Sequence, residues 1–107
     1  MRVLLYTTTS GRRPVEEFLK GLPANQKSEV YALLEDLEAY GIEAPLVSLR
    51  QIRGKLWEIR ISKVRIFYSM VDSATMILLH ACKKVAQKAK KKDIDLALQR
   101  MNEVLGK

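Results

Sequence analysis

The amino-acid sequence predicts an α+β domain in which helices cover an antiparallel sheet, and three observations carry that reading. Two segments, 24–40 and 93–105, repeat apolar residues at every third or fourth position, the period of a helix face. Between them, from Leu46, the pattern turns into short runs rich in β-branched and aromatic residues, separated by Gln51-Ile52-Arg53-Gly54, Ser62-Lys63 and Asp72-Ser73-Ala74. Such runs and breaks are those of a strand meander. The chain has 107 residues, enough for one packed core and too few for two, so a single domain spanning 1–107 is expected.

The elements follow in order. Val3 to Tyr6 reads as a short strand, and Ser10-Gly11-Arg12-Arg13-Pro14 as a turn into a helix with Pro14 in its first turn, where the missing N–H has no partner to lose. Val15, Phe18, Leu19 and Leu22 form the buried stripe of that helix. After Leu22-Pro23, the segment Ala24 to Tyr40 places Val30, Leu33, Leu34 and Leu37 on one face and spreads Glu29, Glu35, Asp36 and Glu38 around the rest, with Gly41 closing the helix. Four strands are then expected at about 46–50, 55–62, 64–71 and 75–83. The two-residue Ser62-Lys63 connection lacks the glycine that tight hairpins favour. Asp93 to Leu105 forms the last helix, with Ile94, Ala97, Leu98, Met101, Val104 and Leu105 on one side and Gly106 at its end.

Charge narrows the choice of partner. The formal net charge is +7, unevenly spread: residues 1–48 hold five Lys/Arg against seven Asp/Glu, and residues 49–107 hold fourteen against five. A basic C-terminal half concentrates polyanions near it, whichever polyanion that is. The sole cysteine, Cys82, excludes an intrachain disulfide and fits a reducing compartment. The apolar stretch Val3-Leu4-Leu5-Tyr6 is too short for a signal peptide or a membrane span, so a cytoplasmic protein without membrane contact is expected.

Strand alternation puts Glu58 and Arg60 on one face with Leu56, and Arg65 on one face with Phe67 and Ser69, while Tyr68 falls with Ile66 and Met70. Taken singly, Arg60 and Glu58 read as a surface ion pair and Arg65 as a solvated edge residue. With Lys83-Lys84 at the end of the last strand, they read as a cationic patch that grips phosphate. The run from Lys83 to Lys92 holds six lysines, a solvated connector or a phosphate-binding rim. Trp57 and Tyr68 are candidates for stacking on bases, although an aromatic in a half-buried strand is more often core. His80, the only histidine, reads first as a hydrogen-bonded core residue. No second histidine, cysteine pair or acidic cluster supplies metal ligands at useful spacing, so neither metal nor cofactor is expected. Glycine-rich phosphate loops are also missing.

These residues resemble a family, the RelE/HigB-type toxins of type II toxin–antitoxin systems, in their phage-derived branch. The likeness covers roughly residues 46–105. It rests on Arg53-Gly54-Lys55-Leu56-Trp57-Glu58-Ile59-Arg60, Arg65-Ile66-Phe67-Tyr68, Leu78-Leu79-His80, Lys83-Lys84, Gln87-Lys88, Ile94, Ala97-Leu98 and Arg100-Met101. It departs at Cys82, where the branch has an aromatic, at Ala89-Lys90, where it has Thr-Pro, and in having no tyrosine after Tyr68. The resemblance implies a RelE-like, microbial-ribonuclease-like fold and a toxin that cleaves messenger RNA on the ribosome. It also implies neutralisation by a cognate antitoxin, in this branch often a helix-turn-helix protein, and a chain that is a monomer or weak dimer alone. By position, Arg60 and Arg65 match cationic site residues of the family and Lys84 a cation at the end of its last strand.

Cleavage of RNA by its own 2′-hydroxyl needs that hydroxyl deprotonated, the charge on the phosphorane stabilised and the 5′-oxygen protonated as it leaves. Forked, permanently charged arginines suit the second task. A lysine serves as base only where neighbouring cations or burial depress its pKa, and the Lys83-Lys84 pair near Arg60 and Arg65 is a place where that is expected. The resulting assignment puts Arg60 and Arg65 on the scissile phosphate and Lys84 in proton transfer or charge stabilisation. Lys55, Lys83 and Lys88 sit on flanking phosphates and Tyr68 against a base. His80 remains the alternative base. Two other readings stand beside it: a relative of the same fold that poisons DNA gyrase through protein contacts, and a non-catalytic nucleic-acid-binding module.

Overall fold

Strand alternation builds a sheet with two apolar faces, and each face acquires its own helical cover. The computed structural model describes residues 1–43 and 48–106. Its elements are β1 (Arg2–Leu5), α1 (Pro14–Lys20), α2 (Ala24–Tyr40), a single 3₁₀ turn (Gly41–Glu43), β2 (Ser48–Arg53), β3 (Leu56–Ile61), β4 (Val64–Asp72), β5 (Thr75–Lys83) and α3 (Lys91–Leu105). This is the α+β architecture expected, with all three long-period segments helical. Residues 46 and 47 of the expected strand 46–50 lie outside the described residues. The remainder runs on through Gln51, Ile52 and Arg53, which the sequence pattern assigns to a connector. The turn is instead Gly54-Lys55, with Gly54 in the left-handed region at φ 55°.

The five strands form one sheet in the order β1-β5-β4-β3-β2. Strands β2 to β5 are the antiparallel meander, and β1 adds to its far edge parallel to β5, from Arg2 opposite Thr75 to Leu5 opposite Leu78. On one face Ile59, Val64, Ile66, Tyr68, Met76 and Leu78 pack against Val15 and Leu19 of α1 and Val30, Leu33, Leu34 and Leu37 of α2. On the other, Leu56, Phe67, Ile77 and Leu79 pack against Ala97 and Met101 of α3 and against Tyr6.

A register shift in the β4–β5 ladder decides which side chains of β5 meet α3. Phe67 pairs with His80 but Tyr68 pairs with Leu78, so Leu79 is an extra residue in β5. Met76 and Leu78 point toward α1 and α2, and unbroken alternation would send His80 and Cys82 the same way. The bulge reverses the phase, so that His80 and Cys82 face α3 while Ala81 turns back into the first core. The Leu79 carbonyl accepts a hydrogen bond from Arg100 Nη1 of α3 at 2.9 Å. The Arg100 guanidinium in turn lies 5.0 Å from the centroid of the Tyr6 ring, whose hydroxyl donates to Glu103. Among the described residues no helix is long and apolar enough to cross a membrane.

Candidate nucleic-acid interface

The α3 face carries the cations that the sequence singled out. Arg60 and Arg65 are register partners on β3 and β4, and this pairing puts Arg65 on the face that alternation gives to Glu58 and Arg60. Their environment differs from the expected open patch. The Glu58 carboxylate has no solvent exposure and holds both guanidinium groups: Arg65 Nη1 donates to Oε2 at 2.5 Å and Arg60 Nε to Oε1 at 2.7 Å. The side chain of Arg65 is 3% exposed and that of Arg60 19%. Arg65 Nη2 also donates to the Ala86 carbonyl at 2.7 Å and more weakly to that of Gln87, and Arg60 Nη2 donates to Gln87. The arginines thus form an ion triad with Glu58, in which Glu58 and Arg65 are buried and Arg60 is partly exposed, and tie the lysine-rich segment after β5 onto the sheet. This corrects both the surface ion pair and the picture of two open phosphate ligands.

Above the triad lies a cleft of about 190 Å³ walled by Arg65, Cys82 and Lys83 of the sheet, by Lys88 and Lys90 of the connecting segment, and by Lys92 and Asp93 at the start of α3. A neighbouring cleft of about 210 Å³ lies between Arg50 of β2, Glu58, Arg65, Lys88 and Ile94. Lys88 borders both. The segment 83–92, read as a solvated connector or a phosphate-binding rim, contributes Lys83, Lys88, Lys90 and Lys92 to the wall of the first cleft. Four lysines line one cleft, with Asp93 as the carboxylate among them, so positive charge is concentrated there.

The structure brings the predicted residues together unevenly. Lys83 and Lys88 wall the first cleft. Half-buried Lys84 stands outside its lining and continues the ladder through its backbone, donating to the Lys63 carbonyl at 2.8 Å. Lys55 is exposed in the β2–β3 turn, at the opposite end of β3 from Arg60, roughly 16 Å away along the strand. Tyr68 is a correction: it is 2% exposed in the core beneath α1 and α2, on the other face of the sheet, where burial pushes its phenol up to about 12. Its ring has no open face for a base. Trp57 packs at the margin of the same core.

Sequence reasoning missed one cluster. His80 Nε2 and Asp93 Oδ1 are 2.8 Å apart, and the His80 ring stacks on Phe67 with centroids 5.9 Å apart. Cys82 completes a group in which the imidazole nitrogen, the thiol sulfur and the carboxylate oxygen all lie within 4.8 Å of one another. Burial first, then Asp93, push the Cys82 thiol up to about 11. The i, i+2 spacing of His80 and Cys82 was visible in the sequence. Their meeting with Asp93 depends on the bulge and on where α3 begins.

No curated protein matches the chain. The family model for the phage-derived protein Gp49-like (DUF891) matches residues 17–102, which run from α1 through both clefts into the last turns of α3. The chain belongs to this phage-derived Gp49-like family, a family associated with toxin–antitoxin systems.

Proposed function

We propose that this chain is the toxin of a type II toxin–antitoxin pair and acts as a ribosome-dependent endoribonuclease on translated messenger RNA. The observation that carries the reading is the lysine-walled cleft on the α3 face, within the segment matched to a toxin-associated family. A polyanion backbone fits Lys83, Lys88, Lys90 and Lys92 as electrostatic ligands. In this reading the 2′-oxygen attacks the adjacent phosphorus, the 5′-oxygen leaves with a proton, and a cyclic phosphate remains; the lysines offset the charge that builds on the phosphorane. Lys84, next to Lys83, serves in proton transfer or charge stabilisation. Arg60 and Arg65 act from beneath, holding the 86–87 backbone and thereby the lysines, and are positioning residues. The cognate antitoxin is a helix-turn-helix protein that presents acidic groups to the same face, which both steers its approach and blocks RNA.

One observation favours a second reading. The two guanidinium groups are already satisfied by Glu58 and by backbone carbonyls, as suits a binding surface that cleaves nothing, whether its target is gyrase or nucleic acid. The two readings separate in a reconstituted translation reaction in which mRNA cuts are mapped by primer extension. Wild type should cut within translated codons, only when ribosomes are present, and Lys88→Ala/Lys90→Ala should cut at least tenfold more slowly while keeping its circular dichroism. Intact mRNA at concentrations that arrest growth would move the assignment to the second reading.

A further inference from the structure

We propose that His80, Cys82 and Asp93 form a transition-metal site, suited to Zn²⁺, whose fourth position opens on the lysine-walled cleft. The three donor atoms lie within 4.8 Å of one another, and Cys82 and Asp93 line the cleft. Metal bonds of about 2.0–2.3 Å separate tetrahedral ligands by roughly 3.5 Å, so closing the site needs side-chain adjustments and no movement of the strands. Nitrogen, thiolate and carboxylate are the donors that zinc accepts, and three protein ligands with one open position leave room for a water or an entering oxygen. Thiolate and carboxylate together cancel the charge of a divalent ion, which allows it to sit amid lysines. The guanidinium of Arg65, the residue opposite Cys82 in the ladder, is engaged by Glu58.

The geometry also says what an ion would do. His80 and Cys82 belong to β5 and Asp93 to the first turn of α3, so a shared ion fastens the helix to the sheet at the point where the cleft has its floor. Binding to the folded form alone raises its stability. The site stands apart from the ribonuclease reading and is tested without reference to cleavage.

The chain holds one cysteine and one histidine, which makes the spectroscopy unambiguous. Purified protein is titrated with Co²⁺ and followed by near-ultraviolet thiolate-to-cobalt charge transfer and by visible ligand-field bands. One equivalent should bind, displaceable by Zn²⁺, and at a hundredfold excess over Kd the thermal midpoint should rise by roughly 10 °C. In Cys82→Ser the charge-transfer band should vanish, and in His80→Ala and Asp93→Asn affinity should fall at least tenfold, each variant being checked for wild-type circular dichroism. Should Asp93→Asn fail to fold, Cys82→Ser alone decides. No charge-transfer band in the folded wild type, or an unmoved thermal midpoint, overturns the site, as does a band that persists in Cys82→Ser.

Discussion

A carboxylate without solvent exposure, set between two guanidinium groups, is stable only while every charge has its partner, since removing one leaves the others buried and uncompensated. Glu58 is in that position, with Arg60 and Arg65 donating to its two oxygens. Glu58→Gln keeps the shape but strands two cations beneath the segment 86–87, and should lower unfolding free energy by about 3–5 kcal/mol. Urea denaturation measures this, and a loss below about 1 kcal/mol would show that the triad is open to water. Arg65→Ala strands half of the carboxylate and releases the Ala86 carbonyl as well. Loss of activity in that variant therefore reports a displaced rim as readily as a missing phosphate ligand, which is why the lysines are the better probe of the cleft. That Glu58 and Arg60 share a face followed from alternation; that Arg65 joins them depends on the β3–β4 register, which sets it opposite Arg60. The burial of Glu58 and Arg65 was not legible either, because it depends on the segment after β5 folding back over them, a contact between residues distant in the chain.

At the scale of elements, what is encoded locally was legible and what is encoded by packing was not. The helix 24–40 was readable to the residue from its apolar period and from Gly41, which takes φ 75° at the C-terminus; the end of α3 was readable from Gly106 at φ 72°, but its start lies at Lys91, two residues before the expected Asp93. The bulge at Leu79 carries no marker, since Leu78-Leu79-His80 suits either phase of a strand. That one residue decides whether His80 and Cys82 lie under α1 and α2 or beside Asp93. The Ser62-Lys63 turn is an intermediate case, a two-residue hairpin loop without glycine. Ser62 supplies the left-handed conformation itself, at φ 54°, the one described non-glycine residue with positive φ. A side chain there costs about 1–2 kcal/mol relative to ordinary backbone, and more when branched at Cβ. Ser62→Gly should therefore leave stability unchanged or raise it by up to about 1 kcal/mol, while Ser62→Val should lower it by about 1–2 kcal/mol. Urea midpoints at constant slope test this; equal stability for the two variants would mean that the loop relaxes into another turn.

At the scale of the molecule, the two helical layers differ in charge as well as in position. Residues 14–40, which contain α1 and α2, carry two lysines against six carboxylates, whereas residues 83–106, which contain the rim and α3, carry six lysines and Arg100 against Asp93, Asp95 and Glu103. Because α1 and α2 cover one face of the sheet and α3 the other, the chain is electrostatically two-sided. A polyanion should then meet it from the α3 side only, and the ion release on binding should come from that side. For single-stranded RNA the logarithm of affinity falls with the logarithm of salt concentration by about 0.7 for each phosphate neutralised. Removing Lys88 and Lys90 together should flatten that dependence by about 1.4, because both border the first cleft. Removing Lys20 and Lys27, which lie on α1 and α2, should leave the slope unchanged although it removes the same charge. Fluorescence anisotropy of a labelled oligoribonucleotide across a salt series distinguishes the cases. Equal flattening in the two double variants would mean that net charge, rather than the cleft, attracts the RNA.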